Sequence, residues 1–281
     1  MKLWIIGKKG ILSSALQRRC MELGIEFVAT TRKEVDIRHD ASVKAQFETL
    51  GFSHVVNCSG YTAVDLAEEE EKKAFELNAD AVSTLAKYAN HFDKRLIHFS
   101  TDYVFNGKSE EYEEDQSTSP LSIYGQSKEK GEKYLLERCP SACLIRTSWL
   151  FGKEGSHFVS TMIQLMQEKD VIRVVNDQWG SPTFADDLAN AALSLLDSSG
   201  VYHFANAGKT TWHGFALAIK KVMEEKNIPM KCKEIKPIST NEFGAKAKRP
   251  QFSILNSKHF TPPNWKEGLD EVICHAFELK K

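Results

Sequence analysis

The chain of 281 residues predicts an α/β fold: a doubly wound parallel sheet with a smaller, discontinuous C-terminal region. Three observations predict it. Short apolar runs alternate with helical patterns at the spacing of βαβ units. A glycine turn follows the first run directly and opens a helix. After Trp149 the rhythm loosens into shorter strands and loops, as a second packing unit requires.

The elements follow in order. Lys2–Ile6 reads as the first strand, and a helical pattern runs from Leu12 to Leu23. Ile25–Thr30 is the second strand, Ala41–Leu50 a helix and His54–Asn57 the third strand. Ala63 to Asn90 is long, charged and alanine-rich with helical periodicity. Its run Glu68–Glu71 reads as a solvated helix face. Arg95–Ser100, helix Ser122–Arg138 and strand Ala142–Arg146 complete the regular alternation. Then come helix His157–Glu168, strand Val171–Val174, helix Asp186–Leu196, strand Val201–Ala205 and helix Trp212–Lys226. A loop-rich stretch from Pro229 to Pro263 leads to a last helix near Trp265–Leu279. This reading assigns residues 1–152 to a dinucleotide-binding core, returns 171–200 to it, and gives 153–170 and 201–281 to a substrate-binding region.

Bulk properties narrow the function. The net charge is −1, and the basic excess of a nucleic-acid binder is absent. No apolar run has the length of a membrane span, and the N-terminal apolar run breaks at Lys8 and Lys9, too short for a signal peptide. The six cysteines form no CxxC pair and read as reduced thiols, so a cytoplasmic protein is expected.

The stretch GKKGILS places Gly7 and Gly10 between the first strand and first helix, with Ile11 and Leu12 opening that helix. Glycine there lets backbone approach a pyrophosphate, and the helix terminus supplies free N–H groups and positive potential. Ser13 stands at the third small position, compatible with close helix–strand packing. The second strand ends in ATTRK, without the acid that holds ribose hydroxyls in NAD sites. Thr31, Arg32 and Lys33 would suit a 2′-phosphate, which favours NADPH and leaves NADH possible; Arg32 and Lys33 as plain solvated charges is the alternative. Asp36 and Ile37 would flank the adenine, and the small residues Cys58, Ser59 and Gly60 would let the third-strand loop pass close to the cofactor.

Thr101 and Asp102 end the fourth strand, at the carboxyl edge where such sheets bind ligands. Tyr124 and Lys128 lie four apart on the next helix, hence on one face. A ketone receiving hydride builds charge on its oxygen, and a tyrosine tuned by a lysine ammonium can protonate it. Thr101 would orient the carbonyl, and Lys128 would also reach the ribose.

With these residues in place, the chain resembles the dTDP-4-dehydrorhamnose reductases, extended short-chain dehydrogenases. The likeness runs nearly end to end through GKKGILS (7–13), NCSGYTAVDLAE (57–68), STDYVFNG (100–107), SPLSIYGQSKEKGE (119–132), IRTSWLFG (145–152), NDQWGSPTFADDLA (176–189), YHFANAGKTTWHGFA (202–216) and RPQFSILNSKHF (249–260). The resemblance implies a Rossmann-type core and reduction of the 4-keto group of a dTDP-6-deoxy sugar to dTDP-L-rhamnose. It makes Thr101, Tyr124 and Lys128 the catalytic trio and puts Thr62, Val64, Asp102, Val104, Phe105 and Trp149 around the sugar nucleotide. Trp149 as a core aromatic, and Val104 and Phe105 as simple packing, are the alternatives. Asp187 reads as a helix-start residue; Asn206 either lines the substrate or stabilises a turn. Asn256 departs from the LD that the family often carries there. No metal is assigned, and a monomer or homodimer is expected. Two rivals remain: a reductase of another 4-keto-6-deoxy sugar nucleotide, and a non-catalytic NADP-binding regulatory subunit like the beta subunit of methionine adenosyltransferase. The intact trio favours catalysis.

Overall fold

A computed structural model describes residues 1–278. Its centre is a six-stranded sheet. In chain order the strands are β1 Lys2–Ile6, β2 Glu26–Thr30, β3 His54–Asn57, β4 Arg95–Thr101, β5 Cys143–Thr147 and β6 Gly200–His203. They lie in the order β6-β5-β4-β3-β1-β2, every pair parallel. The chain steps from β1 to β2 on one side and then to β3 on the other, so the helices that follow β1 and β3 lie on opposite faces, and the carboxyl ends of these two strands mark the switch point where such sheets bind ligands.

The strands are apolar on both faces because helices cover both. Leu3 and Ile5 pack against helices Ile11–Glu22 and Ala185–Ser194. Trp4 and Ile6 point the other way, against Val43 and Phe47 of helix Asp40–Thr49 and the alanine-rich face of helix Ala81–His91. The long pattern after β3 is not one helix: a short turn at Val64–Ala67 precedes Glu71–Phe75, a π-helical turn at Glu76–Asp80 and then Ala81–His91.

A second core lies among helices Phe158–Glu168, Trp212–Glu225 and Trp265–Ala276. The expected end of the last helix, Leu279, lies outside the described residues. Two expected boundaries are corrected. Strand Val171–Val175 does not return to the main sheet; it pairs in parallel with Glu234–Ile238 in the second unit. Val201–His203, read as part of the substrate-binding region, instead lies with Gly200 in the sixth strand of the main sheet, hydrogen-bonded to β5. Both are runs of four or five residues, and strand periodicity does not name a partner. Among the described residues no helix is long and apolar enough to cross a membrane.

One buried ion pair joins the layers. Arg146 on β5 donates Nε and Nη2 to Glu132 of helix Ile123–Arg138, at 3.1 and 2.7 Å. Its Nη1 reaches the Glu114 carbonyl and lies 3.3 Å from His203 Nε2, and its guanidinium stacks 5.2 Å from the Phe105 ring. Arg146 and Glu132 are 5 % and 3 % exposed, so removing either leaves a dry, uncompensated charge. Arg146→Met should lower unfolding free energy by about 3–5 kcal/mol, and the Arg146→Met/Glu132→Leu pair by clearly less. Urea unfolding of the single and double variants checks this.

Candidate active site

The loop after β1 is shaped to take an anion. Gly7 has φ +94°, a conformation that side chains resist, and its N–H and that of Lys8 both donate to the Thr30 carbonyl at 3.0 Å. A β-carbon on Gly7 would lie 3.3 Å from the backbone at Cys58 and Ser59, so the loops after β1 and β3 run in contact. Helix Ile11–Glu22 starts at Gly10 with no side-chain cap and no acid in its first turn, which leaves its N–H groups and dipole for a ligand. Ser13 is fully buried, so it meets the packing demand of the third small position. These features fit a dinucleotide pyrophosphate.

Around this cradle Lys8, Lys9, Arg32 and Lys33 are exposed. Thr31 is held by Glu34, whose carboxylate accepts its N–H at 2.7 Å and its hydroxyl at 2.8 Å. Asp36 accepts from Arg38 Nε at 2.9 Å and from Arg32 at 3.4 Å, and Arg38 holds it well below the usual carboxylate range. Ile37 and Leu12 are 3 % and 6 % exposed. Their side chains belong to the core, so any contact of theirs with a cofactor runs through backbone.

Thr101, Tyr124 and Lys128 meet at the carboxyl end of β4. Ser122 caps helix Ile123–Arg138 by accepting the Gly125 N–H at 3.2 Å. A β-carbon on Gly125 would lie 2.3 Å from the Tyr103 carbonyl, so the helix start presses directly on the turn Asp102–Val104. This contact brings Tyr124 to the Thr101 hydroxyl and sets the Tyr103 ring edge-on to it, 5.9 Å between centroids. Burial pushes the Tyr124 hydroxyl up to about 12, against the nearby Thr101 hydroxyl and with a further push from Asp102.

Lys128 behaves differently from the sequence-based expectation. Its Nζ donates to the Phe99 carbonyl at 2.6 Å and lies 3.4 Å from His98 Nε2. It is 5 % exposed, and burial brings it down to about 8. The ammonium is committed to the backbone of β4 and is not among the groups that shift Tyr124. Behind it, His98 Nδ1 meets Asn57 Nδ2 at 3.0 Å, and Asn57 Oδ1 accepts both the N–H and the hydroxyl of Ser59. A polar chain therefore runs from the glycine-lined loop to Lys128. Gly60 completes that loop, with Lys128 Nζ 4.0 Å from where its β-carbon would stand.

One residue of this centre escapes sequence reasoning. Asn78, 1 % exposed, sits in the π-helical turn. Its amide donates to the Tyr61 carbonyl and to Ser127 Oγ, and its oxygen accepts the Tyr61 N–H at 2.8 Å. Ser127 in turn donates to the Tyr124 carbonyl at 2.7 Å. Asn78 thus ties the loop after β3 to the helix that carries Tyr124. The stretch ELNAD reads as ordinary helix, and only the extra residue of a π turn aims Asn78 inward.

The expected substrate residues divide. Thr62 is exposed, and Val64 is half-buried at the start of the short helix Val64–Ala67. Trp149 has φ +46° and stacks on Trp212, 3.5 Å between centroids. Asp102 is 2 % exposed and accepts the Thr101 hydroxyl at 2.9 Å; burial raises it to about 7, against the nearby Ser253 hydroxyl and the Thr101 hydrogen bond. Val104 and Phe105 are corrected: both are fully buried, packed with Tyr112, Ala205 and Leu255, and their side chains form core rather than a ligand-facing wall. Asn206 stabilises a junction, accepting the Phe184 N–H and donating to Asp187 and Pro263. Asp187 lies in the first turn of its helix, as read.

The chain is similar to known proteins over nearly its whole length. A family model described as RmlD substrate binding domain matches residues 1–277. The spore coat polysaccharide biosynthesis protein SpsK of Bacillus subtilis is 37 % identical over 97 % of this chain and 96 % of its own length. The dTDP-4-dehydrorhamnose reductase of Escherichia coli is 34 % identical over 99 % and 98 %. A crystal structure of dTDP-4-dehydrorhamnose reductase from Bacillus anthracis in complex with NADP superposes with a TM-score of 0.91 at 35 % identity, covering 97 % of this chain and 98 % of that one. A UDP-glucose 4-epimerase from Thermus thermophilus, 18 % identical with a TM-score of 0.83, shares the fold. The chain therefore belongs to the RmlD substrate binding domain family, among the dTDP-4-dehydrorhamnose reductase-like oxidoreductases.

Proposed function

We propose that this protein reduces the 4-keto group of dTDP-4-dehydro-6-deoxy-L-mannose to give dTDP-L-rhamnose, with NADPH as reductant and Tyr124 as general acid. The observation that carries the reading is the convergence of Thr101, Tyr124 and Lys128 beside the Gly7 cradle. The NADP complex of the Bacillus anthracis relative supports the cofactor. So does the exposed cationic rim of Lys8, Lys9, Arg32 and Lys33, which suits a 2′-phosphate.

The Gly7 loop and the N-terminus of helix Ile11–Glu22 would hold the pyrophosphate of NADPH, which when bound would supply hydride for the carbonyl carbon. The residues do the rest. Thr101 orients the carbonyl oxygen through its hydroxyl, and Tyr124 gives that oxygen its proton as charge develops. A tyrosine raised to about 12 holds its proton at neutral pH and is ready to donate it. Lys128, near 8, is largely charged at neutrality and is the group suited to a ribose hydroxyl. Thr62, Val64 and Trp149 would border the sugar nucleotide.

Purified protein mixed with NADPH and the 4-keto sugar nucleotide should oxidise the cofactor, followed by absorbance. Tyr124→Phe should lower kcat by about 10²–10⁴-fold while leaving NADPH affinity unchanged. A parent that binds NADPH and turns over only a different 4-keto-6-deoxy sugar nucleotide would replace the substrate assignment.

Asp102 generates a pH prediction. Its folded-state pKa is raised from 3.8 to about 7, so between those values the native chain keeps a proton that the unfolded chain has lost. The stability it contributes is therefore full at acid pH and falls as pH rises through the window. Asp102→Asn removes this dependence. Relative to that variant, the parent should lose on the order of 1 kcal/mol per pH unit between about pH 4 and pH 7, read from urea midpoints measured in parallel.

A further inference from the structure

The motif that begins RPQFS is not used by the chemistry above, yet it crosses the site. Arg249 grips Asp65 with both arms of its guanidinium, Nη1 to Oδ1 at 3.0 Å and Nη2 to Oδ2 at 2.7 Å. The Ala247 N–H adds a third bond to Asp65 at 3.0 Å. Asp65 stands on the short helix Val64–Ala67, next to the loop after β3. The same guanidinium lies beside the Tyr103 hydroxyl, and the Tyr103 ring lies edge-on to Tyr124 while its carbonyl abuts Gly125. Further along, the Ser253 hydroxyl lies near the Asp102 carboxylate, and the backbone of Gln251 and Ser253 pairs with Trp179 at 2.7 and 2.8 Å. The fit is close: a β-carbon on Gly107 would lie 2.6 Å from Pro250 and Gln251. Residues 247–253 therefore form a strap that touches the turn after β4, the turn after β3 and the strand beside Trp149.

We infer that Arg249 is a positioning residue: by clamping Asp65 and engaging Tyr103 it holds the Tyr103 ring against Tyr124, and so sets the aim of the reacting hydroxyl. The inference rests on the proposed reductase reading for its kinetic consequence, but the clamp itself does not. A bidentate guanidinium–carboxylate pair fixes orientation as well as distance, which a lysine cannot reproduce. A hydroxyl misplaced by about 1 Å costs on the order of 10²-fold in rate.

The test uses the full chain with Arg249→Gln, Arg249→Lys and Asp65→Asn, each also in the Tyr124→Phe background. Arg249→Gln and Asp65→Asn should lower kcat by about 10- to 100-fold, with KM and the NADPH dissociation constant within about threefold of the parent. Arg249→Lys should recover only part of the loss. In the Tyr124→Phe background the same changes should cost less than about twofold, because their route to the chemistry is gone. A raised KM with kcat intact would overturn the inference and make Arg249 a substrate contact; a full loss that persists without the Tyr124 hydroxyl would overturn it equally. Hydrogen exchange separates this from failure of the reductase reading. Arg249→Gln should raise exchange at the amides of Ala247 and Tyr103 while the β1 and β3 amides stay protected. Unchanged exchange at Tyr103 sinks the clamp whatever the parent turns over, and a parent that oxidises NADPH with none of the keto sugar nucleotides sinks the reductase reading alone.

Discussion

Helix Ile123–Arg138 can carry Tyr124 to the carboxyl end of β4 only because it approaches its neighbours at backbone distance. A β-carbon at Gly125 would lie 2.3 Å from the Tyr103 carbonyl, and one at Gly131 would lie 2.0 Å from the Asn78 carbonyl. Neither neighbour is a flexible side-chain tip that could swing away. The two contacts press the helix onto the turn after β4 at one end and onto the π-helical turn further along. Its third tie is the pair between Glu132 and Arg146, which anchors the same helix to β5. Tyr124 and Lys128 inherit their places from these three contacts. A helix displaced by the width of one methyl group would lose the Tyr124–Thr101 contact and the Lys128–Phe99 hydrogen bond together.

The electrostatics of the centre have one common cause, the removal of water. Tyr124 and Asp102 are raised, and Lys128 and His98 are lowered, and burial is the largest influence on each. All four move toward their neutral forms, as groups of low hydration must. The same dryness makes each remaining hydrogen bond more directional and each developing charge more responsive to the dipoles aimed at it.

Much of this was legible in the sequence, for definite reasons. The strands of the main sheet announce themselves as short apolar runs because both faces are covered, and the glycine turn is readable because φ +94° at Gly7 has few alternatives. The spacing of Tyr124 and Lys128 survives as a shared helix face. What stayed hidden depends on contacts across the chain. The inward turn of Asn78 needs a π-helical residue that periodicity does not mark. The burial of Val104 and Phe105 depends on Tyr112 and Leu255, which close over them from distant segments. The commitment of Lys128 to the Phe99 carbonyl, and the partner of strand Val171–Val175, are likewise tertiary outcomes of segments that look ordinary on their own.

The strap has a consequence for how the molecule comes into being. Arg249 and Asp65 are 184 residues apart, and the strap closes over a centre whose other parts lie within the first 150 residues. Contacts of such separation form late, because the chain between them must already be ordered before the closure entropy is recovered. A chain emerging from the ribosome can lay down β1 to β5 with their helices, glycine cradle included, long before residue 249 exists. Assembly is therefore staged: the surface that suits a dinucleotide is complete early, while the bidentate clamp of Arg249 on Asp65 waits for the last tenth of the polypeptide. An unfinished molecule lacks that clamp by the order of its own translation.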